Sequence, residues 1–143
     1  MSREIKFRAW NSMAKKILHF GNPIGIMDNE DRYGTFFESF EKKMYCGGNY
    51  ELMQFTGLKD KNGVTEIYEG DIMFRQIKNG KGKVIRECKA TVVYVPELAG
   101  YYLVHDGSGT MLGSTYEELN DWAVFGEVIG NIYENRELLD STK

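Results

Sequence analysis

The stretch Leu52–Phe74 constrains this chain more than any other, because it sets turn-forming residues between apolar runs too short for helices. Asp60-Lys61-Asn62-Gly63 has the chemistry of a tight reversal: a carboxylate at the first corner to accept a nearby backbone N–H, then Asn-Gly where the chain needs φ > 0. Two strands are expected to meet there as a hairpin. Gly57 interrupts the first strand, where a bulge or a close backbone approach is the usual reason. Glu69-Gly70-Asp71 forms a second corner and feeds the apolar Ile72-Met73-Phe74. Asn62, Gly63, Gly70 and Asp71 are therefore read as structural turn residues.

The same alternation extends in both directions. Ile5, Phe7 and Ala9 alternate with Lys6, Arg8 and Trp10, the period-2 pattern of a half-buried strand. Ile17-Leu18-His19-Phe20 returns after a polar loop, so residues 4–20 read as a first hairpin. Between residues 23 and 49 the pattern loosens, and Phe36, Phe37 and Phe40 fall at the spacing of a short helix over 35–43. Beyond Phe74, the tip Lys78–Lys83 joins a strand over 71–77 to one over 84–95. The β-branched run Ala90–Val95 has the look of a central strand covered on both sides. Residues 101–105 pair back after Pro96–Gly100, and Asp106–Gly109 is one more turn. Ser114 and Thr115 stand three residues before Glu117 and Glu118, the spacing of a capping box, so a helix of about two turns through Trp122 is expected. Phe125–Tyr133 is the closing strand, and Asn135 is placed to cap a last turn over 136–139.

At 143 residues the chain fits one domain, and a chain of this size buries roughly 68–70% of its extended surface, enough for a core without staples. Sixteen glycines against two prolines agree with many tight turns. Several short strands at intervals of about ten residues argue for a mainly β protein, and a barrel is preferred because closure removes exposed edges. No cofactor is expected. Cys46 and Cys88 lack CxxC spacing and neighbouring His, which argues against a zinc site and for reduced thiols in a cytoplasmic protein. Neither a signal peptide nor a membrane span is expected from the apolar runs.

Three motifs in order along the chain carry a family resemblance: Arg3-Glu4-Ile5-Lys6-Phe7-Arg8-Ala9-Trp10, the Leu52–Phe74 stretch, and Val128-Ile129-Gly130-Asn131-Ile132-Tyr133-Glu134-Asn135. Together they resemble the YopX family of phage and prophage proteins. The resemblance implies a small β-rich protein with an SH3-type barrel, encoded by a bacteriophage or prophage; with the pattern read above, the expected fold is an SH3-like small barrel with an N-terminal β-hairpin and one or two short helices. It brings no catalytic residue with it. Asn11 departs from the Asp usual after the Trp, and Val64-Thr65 lengthens the run between Gly63 and Glu66. The expected organisation is one domain over 1–143: hairpin 1–22, variable insert 23–49, barrel 50–135 and C-terminal turn 136–143.

Candidate chemistry is sparse. Gly80-Lys81-Gly82-Lys83 lacks both the GxxxxGK[ST] spacing and the strand-to-helix context of a phosphate loop. Ser108, Asp106 and His105 are neighbours on one turn, whereas triads are assembled from separate elements. His19 and His105 read as packed or rim histidines. Glu66, Glu69 and Asp71 cluster about the second corner, where Asp71 is better suited to accepting backbone amides than to holding a cation. Trp10 and Tyr68 are candidate interaction aromatics, since such side chains dominate binding hot spots.

The net charge of −3 conceals a separation. Arg75, Lys78, Lys81, Lys83, Arg86 and Lys89 lie within residues 75–89 against the single acid Glu87, whereas residues 115–140 carry seven acids against Arg136 alone. Opposed segments of this kind point to a non-enzymatic interaction module that binds a protein or self-associates as a homo-oligomer. The alternative is a nucleic-acid accessory factor, with Arg75, Lys78, Lys81, Lys83 and Arg86 as contacts and Tyr94, Tyr101 and Tyr102 as stacking faces. No membrane partner is expected.

Overall fold

The computed structural model describes residues 4–20, 50–105 and 116–140. Over these residues the fold is mainly β with one α-helix, as the alternation and the turn spacing imply. The chain divides into two compact units, Met1–Gly57 and Leu58–Lys143. The division falls inside the segment assigned on sequence to the barrel, because the strand that opens that segment begins as a partner of the N-terminal hairpin.

In the first unit β1 (Phe7–Asn11) and β2 (Lys16–Phe20) form that hairpin in antiparallel register, with Ala9 opposite Leu18. Asn11 organises the turn: its Oδ1 accepts from the amides of Met13 and Ala14, both at 3.0 Å, and its Nδ2 donates to the Tyr50 hydroxyl at 3.1 Å. An Asp would accept the same two amides but has no proton for Tyr50. β3 (Tyr50–Lys59) flanks β1 on its other side, pairing Phe7 with Gln54 and Asn11 with Tyr50. Ala9 is fully buried beneath Phe7, Leu18 and Tyr50. Arg8 is buried as well and Trp10 is half-buried, so β1 lacks the solvated face that its alternation predicts. Gly57 takes φ +92° within β3, as a bulge glycine does.

The second unit holds β4 (Glu66–Tyr68), β5 (Asp71–Lys78), β6 (Val84–Val95), β7 (Gly100–His105), β8 (Glu117–Glu118), the helix α1 (Leu119–Phe125) and β9 (Gly126–Asn131). The five-stranded sheet runs β8-β7-β6-β5-β9, with every adjacent pair antiparallel. Register shifts opposite Ile77/Lys78 and Ile72/Met73 of β5 leave Ile85 of β6 and Ile129 of β9 as extra residues, the mark of bulges in those two strands.

Both corners of the organising stretch form as expected. Gly63 N donates to Asp60 O at 2.8 Å with Gly63 at φ +71°, and Asn62 N donates to Asp60 Oδ1 at 3.0 Å. Asn62 itself keeps a negative φ, so only the glycine supplies the left-handed position. At the second corner Gly70 has φ +82°, and Asp71, 1% exposed, accepts the Tyr68 amide at 2.8 Å through Oδ2. Asp71 is a structural acceptor. Among the described residues no group of three or more His, Cys, Asp or Glu side chains gathers to hold a metal ion.

Three local expectations are corrected. In β6 the run Ala90–Val95 alternates between buried and half-buried or exposed positions instead of being covered on both sides, because only one face meets the core. The helix begins at Leu119 with Glu118 at its N-cap and no side-chain cap bond; Glu117 and Glu118 are drawn into β8, opposite Leu103 and Tyr102. Asn135 precedes a 3-10 turn over Arg136–Leu138 without capping it, and its Oδ1 instead accepts the Asn131 amide at 3.2 Å. The expected helix over 35–43, the Asp106–Gly109 turn, Ser114, Thr115 and Cys46 lie outside the described residues.

The core of this unit gathers Ile67, Met73, Cys88, Ala90, Val92 and Leu103 from the strands and Leu119, Trp122 and Ala123 from α1. The helix reaches it by the i, i+3, i+4 stripe of an amphipathic helix. Its exit is tight: a Cβ on Gly126 would lie 2.8 Å from Trp122 O and 3.1 Å from Phe74 O, both backbone atoms with little room to give. Gly126→Ala is expected to destabilise the protein by about 1–3 kcal/mol through overpacking, measured as a drop in urea midpoint at unchanged m-value.

Candidate binding cleft

The site begins with Arg75. On β5 it stands opposite Cys88 of β6 and Gly126 of β9, two small neighbours that leave room above it. Trp122 and Phe125 of α1 occupy that room: the guanidinium carbon lies 5.8 Å from the Trp122 ring centroid and 5.2 Å from that of Phe125. These are cation–π distances. Arg75 Nε is buried there without a hydrogen-bond partner among the described residues.

Behind this pair, Glu117 Oε2 accepts from Trp122 Nε1 at 2.5 Å and Glu117 Oε1 lies 2.9 Å from His105 Nε2. The His105 and Trp122 rings meet edge to face at 5.6 Å. Partial burial disfavours the Glu117 charge, but the Trp122 and His105 hydrogen bonds, with attraction from His105 and Arg75, outweigh it and hold the carboxyl below its ordinary 4.5. His105 is thus a rim histidine tied to a carboxylate, as its apolar neighbours imply.

In front, a cleft of about 480 Å³ opens between the far half of β5, the end of α1 and the Asp60–Gly63 turn, lined by Lys61, Arg75, Gln76, Lys78, Val124 and Phe125. The Lys61 amide donates to Gly126 O at 2.9 Å and Val128 N to Asp60 Oδ2 at 3.1 Å, which pins the turn against the start of β9. Val124 is 63% and Phe125 57% exposed, because neither falls on the buried 119/122/123 stripe.

The sequence candidates sort unevenly around this cleft. Arg75 and Lys78 line it, and Arg86 projects from the same face as Ile77, its direct cross-strand partner. Lys81 and Lys83 ride the exposed tip, where Asn79 Oδ1 accepts both of their amides. No carboxylate lies within ion-pair distance of Lys78, Lys81, Lys83 or Arg86 among the described residues. Tyr68 as an interaction aromatic is corrected: it is 6% exposed, drawn inward by the corner that its own amide helps to close. Trp10 belongs to the first unit and is half-buried. Tyr94 and Tyr101 pair with each other at 5.3 Å, about 26 Å along β6 from Arg86 at the usual strand rise, too far to serve the basic tip.

Motif order, hairpins and corners together match one known family. The model of the YopX protein family fits residues 6–140. The chain belongs to the YopX family. Among solved structures it is similar to protein EF1440 from Enterococcus faecalis, with a TM-score of 0.55 and 25% sequence identity over 96% of this chain and 99% of that one. No curated protein matches it. No helix among the described residues of this YopX chain is long and apolar enough to cross a membrane.

The three motifs that carried the resemblance include both corners, and the cleft residues lie mostly outside them. Lys61 falls within the organising stretch, but Val124 was not singled out in the sequence, and Phe125, expected to open the closing strand, ends α1 instead. Their signal was an apolar pair two and three residues after Trp122, out of step with the buried stripe.

Proposed function

We propose that this YopX chain is a non-enzymatic, SH3-like interaction module, encoded by a bacteriophage or prophage and acting in the host cytoplasm, that engages an anionic partner through the Arg75–Phe125 cleft and the β5–β6 hairpin. One observation carries the reading: a solvent-facing aromatic with an arginine over its ring, beside cations that no carboxylate among the described residues pairs with. Arginine and aromatic side chains are the usual anchors of binding surfaces, and unpaired like charges on one face attract an oppositely charged partner.

Oligonucleotides and poly-glutamate serve as probes of an anionic partner. The double charge reversal Lys78→Glu/Arg86→Glu is expected to abolish binding of whichever probe the wild type binds at about 50 mM salt, while leaving the thermal unfolding profile intact. Unchanged binding by the reversed variant would move the interaction to another face.

Self-association is a second reading. Glu118 and Asp121 are exposed on the same unit, and a second copy can offer them to the hairpin. The acidic segment is already partly used within the chain: Glu127 pairs with Lys61 at 3.8 Å, and Glu117 faces Arg75. Light scattering on a sizing column at about 50 and about 500 mM salt decides between these, and a monomer at both removes the homo-oligomer.

A further inference from the structure

We infer that the cleft is a site for a single-stranded nucleic acid, with one base stacked on Phe125 and the backbone phosphates tracked by Lys78, Lys81, Lys83 and Arg86. The inference deepens the proposed interaction module and rests on it.

Phe125 supplies the stacking platform. Arg75 lies 5.2 Å from its ring centroid, and the ring is 57% exposed, so a flat π-system added from the cleft side extends a layer that the protein has already begun. Base on aromatic is the sequence-tolerant contact by which proteins hold unpaired strands, and arginine reinforces it.

The floor and the charges agree with that occupant. β9 accompanies β5 only as far as Arg75, so beyond it the edge Gln76–Lys78 borders the cleft. Three residues are too short a row for an added peptide strand to carry the binding, but they offer amide and carbonyl groups to the edge of one base. The cations lie separately on the hairpin beyond the cleft: Lys78 at its border, Lys81 and Lys83 on the exposed tip, and Arg86 opposite Ile77, spaced charges suited to a charged polymer. A duplex keeps its bases stacked inside and presents phosphates only, so it gains nothing from Phe125.

Fluorescence anisotropy with labelled oligo-dT, oligo-rU and a duplex of equal length tests this on the full chain. Both single strands are expected to bind more tightly than the duplex. The slope of log binding constant against log salt is expected near −3, from about −0.7 for each of four phosphates. Phe125→Ala, at an exposed position, is expected to weaken single-strand binding about tenfold or more and to leave the duplex unaffected. Lys81→Ala should shallow the slope by about 0.7 without changing the preference among strands. A difference between the dT and rU arms identifies which nucleic acid the cleft prefers. Equal loss on single strand and duplex, or no loss with Phe125→Ala, overturns the stacking site. Binding of poly-glutamate with no oligonucleotide bound at about 50 mM salt overturns the nucleic acid and retains the interaction module, whereas binding of neither overturns both.

Discussion

Trp122→Ala is expected to cost about 3–5 kcal/mol of unfolding free energy, the usual range for deleting a buried aromatic. The residue is 1% exposed and packs in the core with Ile67, Met73, Val92 and Leu103. Its indole performs three tasks at once. It fills the space beneath α1, donates its N–H to Glu117, and gives the Arg75 guanidinium a ring to lie against. Removing it leaves a cavity, a carboxylate without its shortest hydrogen bond and an arginine without one of its two aromatic neighbours. For a protein with about 5–15 kcal/mol in total, that is a large share, and chemical denaturation monitored by far-UV circular dichroism reads it directly. Trp122→Phe separates the contributions. It keeps most of the packing and loses the N–H, so it is expected to recover more than half of the loss. A cost below about 1 kcal/mol for Trp122→Ala would mean that α1 is not anchored as described.

How much of this was legible follows from how far each cause lies along the chain. The corners at Asp60–Gly63 and Glu69–Asp71 were readable because a turn is closed by its own residues: Asp60 reaches Asn62, and Asp71 reaches Tyr68. The strands were readable for the same reason, since alternation is a local property. Errors arose where a distant partner decides. Ser114 and Thr115 with Glu117 and Glu118 have the spacing of a helix cap, but pairing with Leu103 and Tyr102 on β7 takes the two glutamates into a strand first. Tyr68 is a surface-type side chain in a corner that happens to fold inward. The cleft was the least legible feature. It exists because small residues, Cys88 and Gly126, flank Arg75 in a register that joins β5 to strands on either side, and no local pattern announces that register. The charge separation was visible, yet its meaning changed: β9, from the acidic segment, lies beside β5, from the basic one, in the same sheet.

The second large effect concerns the strut that holds this cleft open at its far side. Asp60 is 4% exposed, and its two carboxylate oxygens serve different masters: Oδ1 takes the Asn62 amide inside the turn, and Oδ2 takes the Val128 amide on β9, 68 residues away. Asp60→Ala is expected to cost about 2–4 kcal/mol, because hydrogen bonds to a charged acceptor contribute about 1.5–3 kcal/mol each and a buried amide left unpaired adds its desolvation. The two amides are not equivalent. Asn62 is exposed and water can replace its partner, whereas Val128 packs against the core. Asp60→Asn keeps one acceptor oxygen and turns an NH2 group toward the other amide, so it should recover about half of the loss, and preferentially if its oxygen faces Val128. Hydrogen exchange gives a readout that total stability does not. Protection of the Val128 amide should fall in both variants by more than global destabilisation explains, while the amides between β6 and β7 follow the global value. Lys61 follows Asp60 directly and its own amide rests on Gly126, so loosening this strut also releases a cation from the cleft wall. If Val128 exchange tracked the global value instead, the carboxylate would be closing its own turn and nothing more, and the position of Lys61 at the cleft would have to be secured by its amide bond to Gly126 alone.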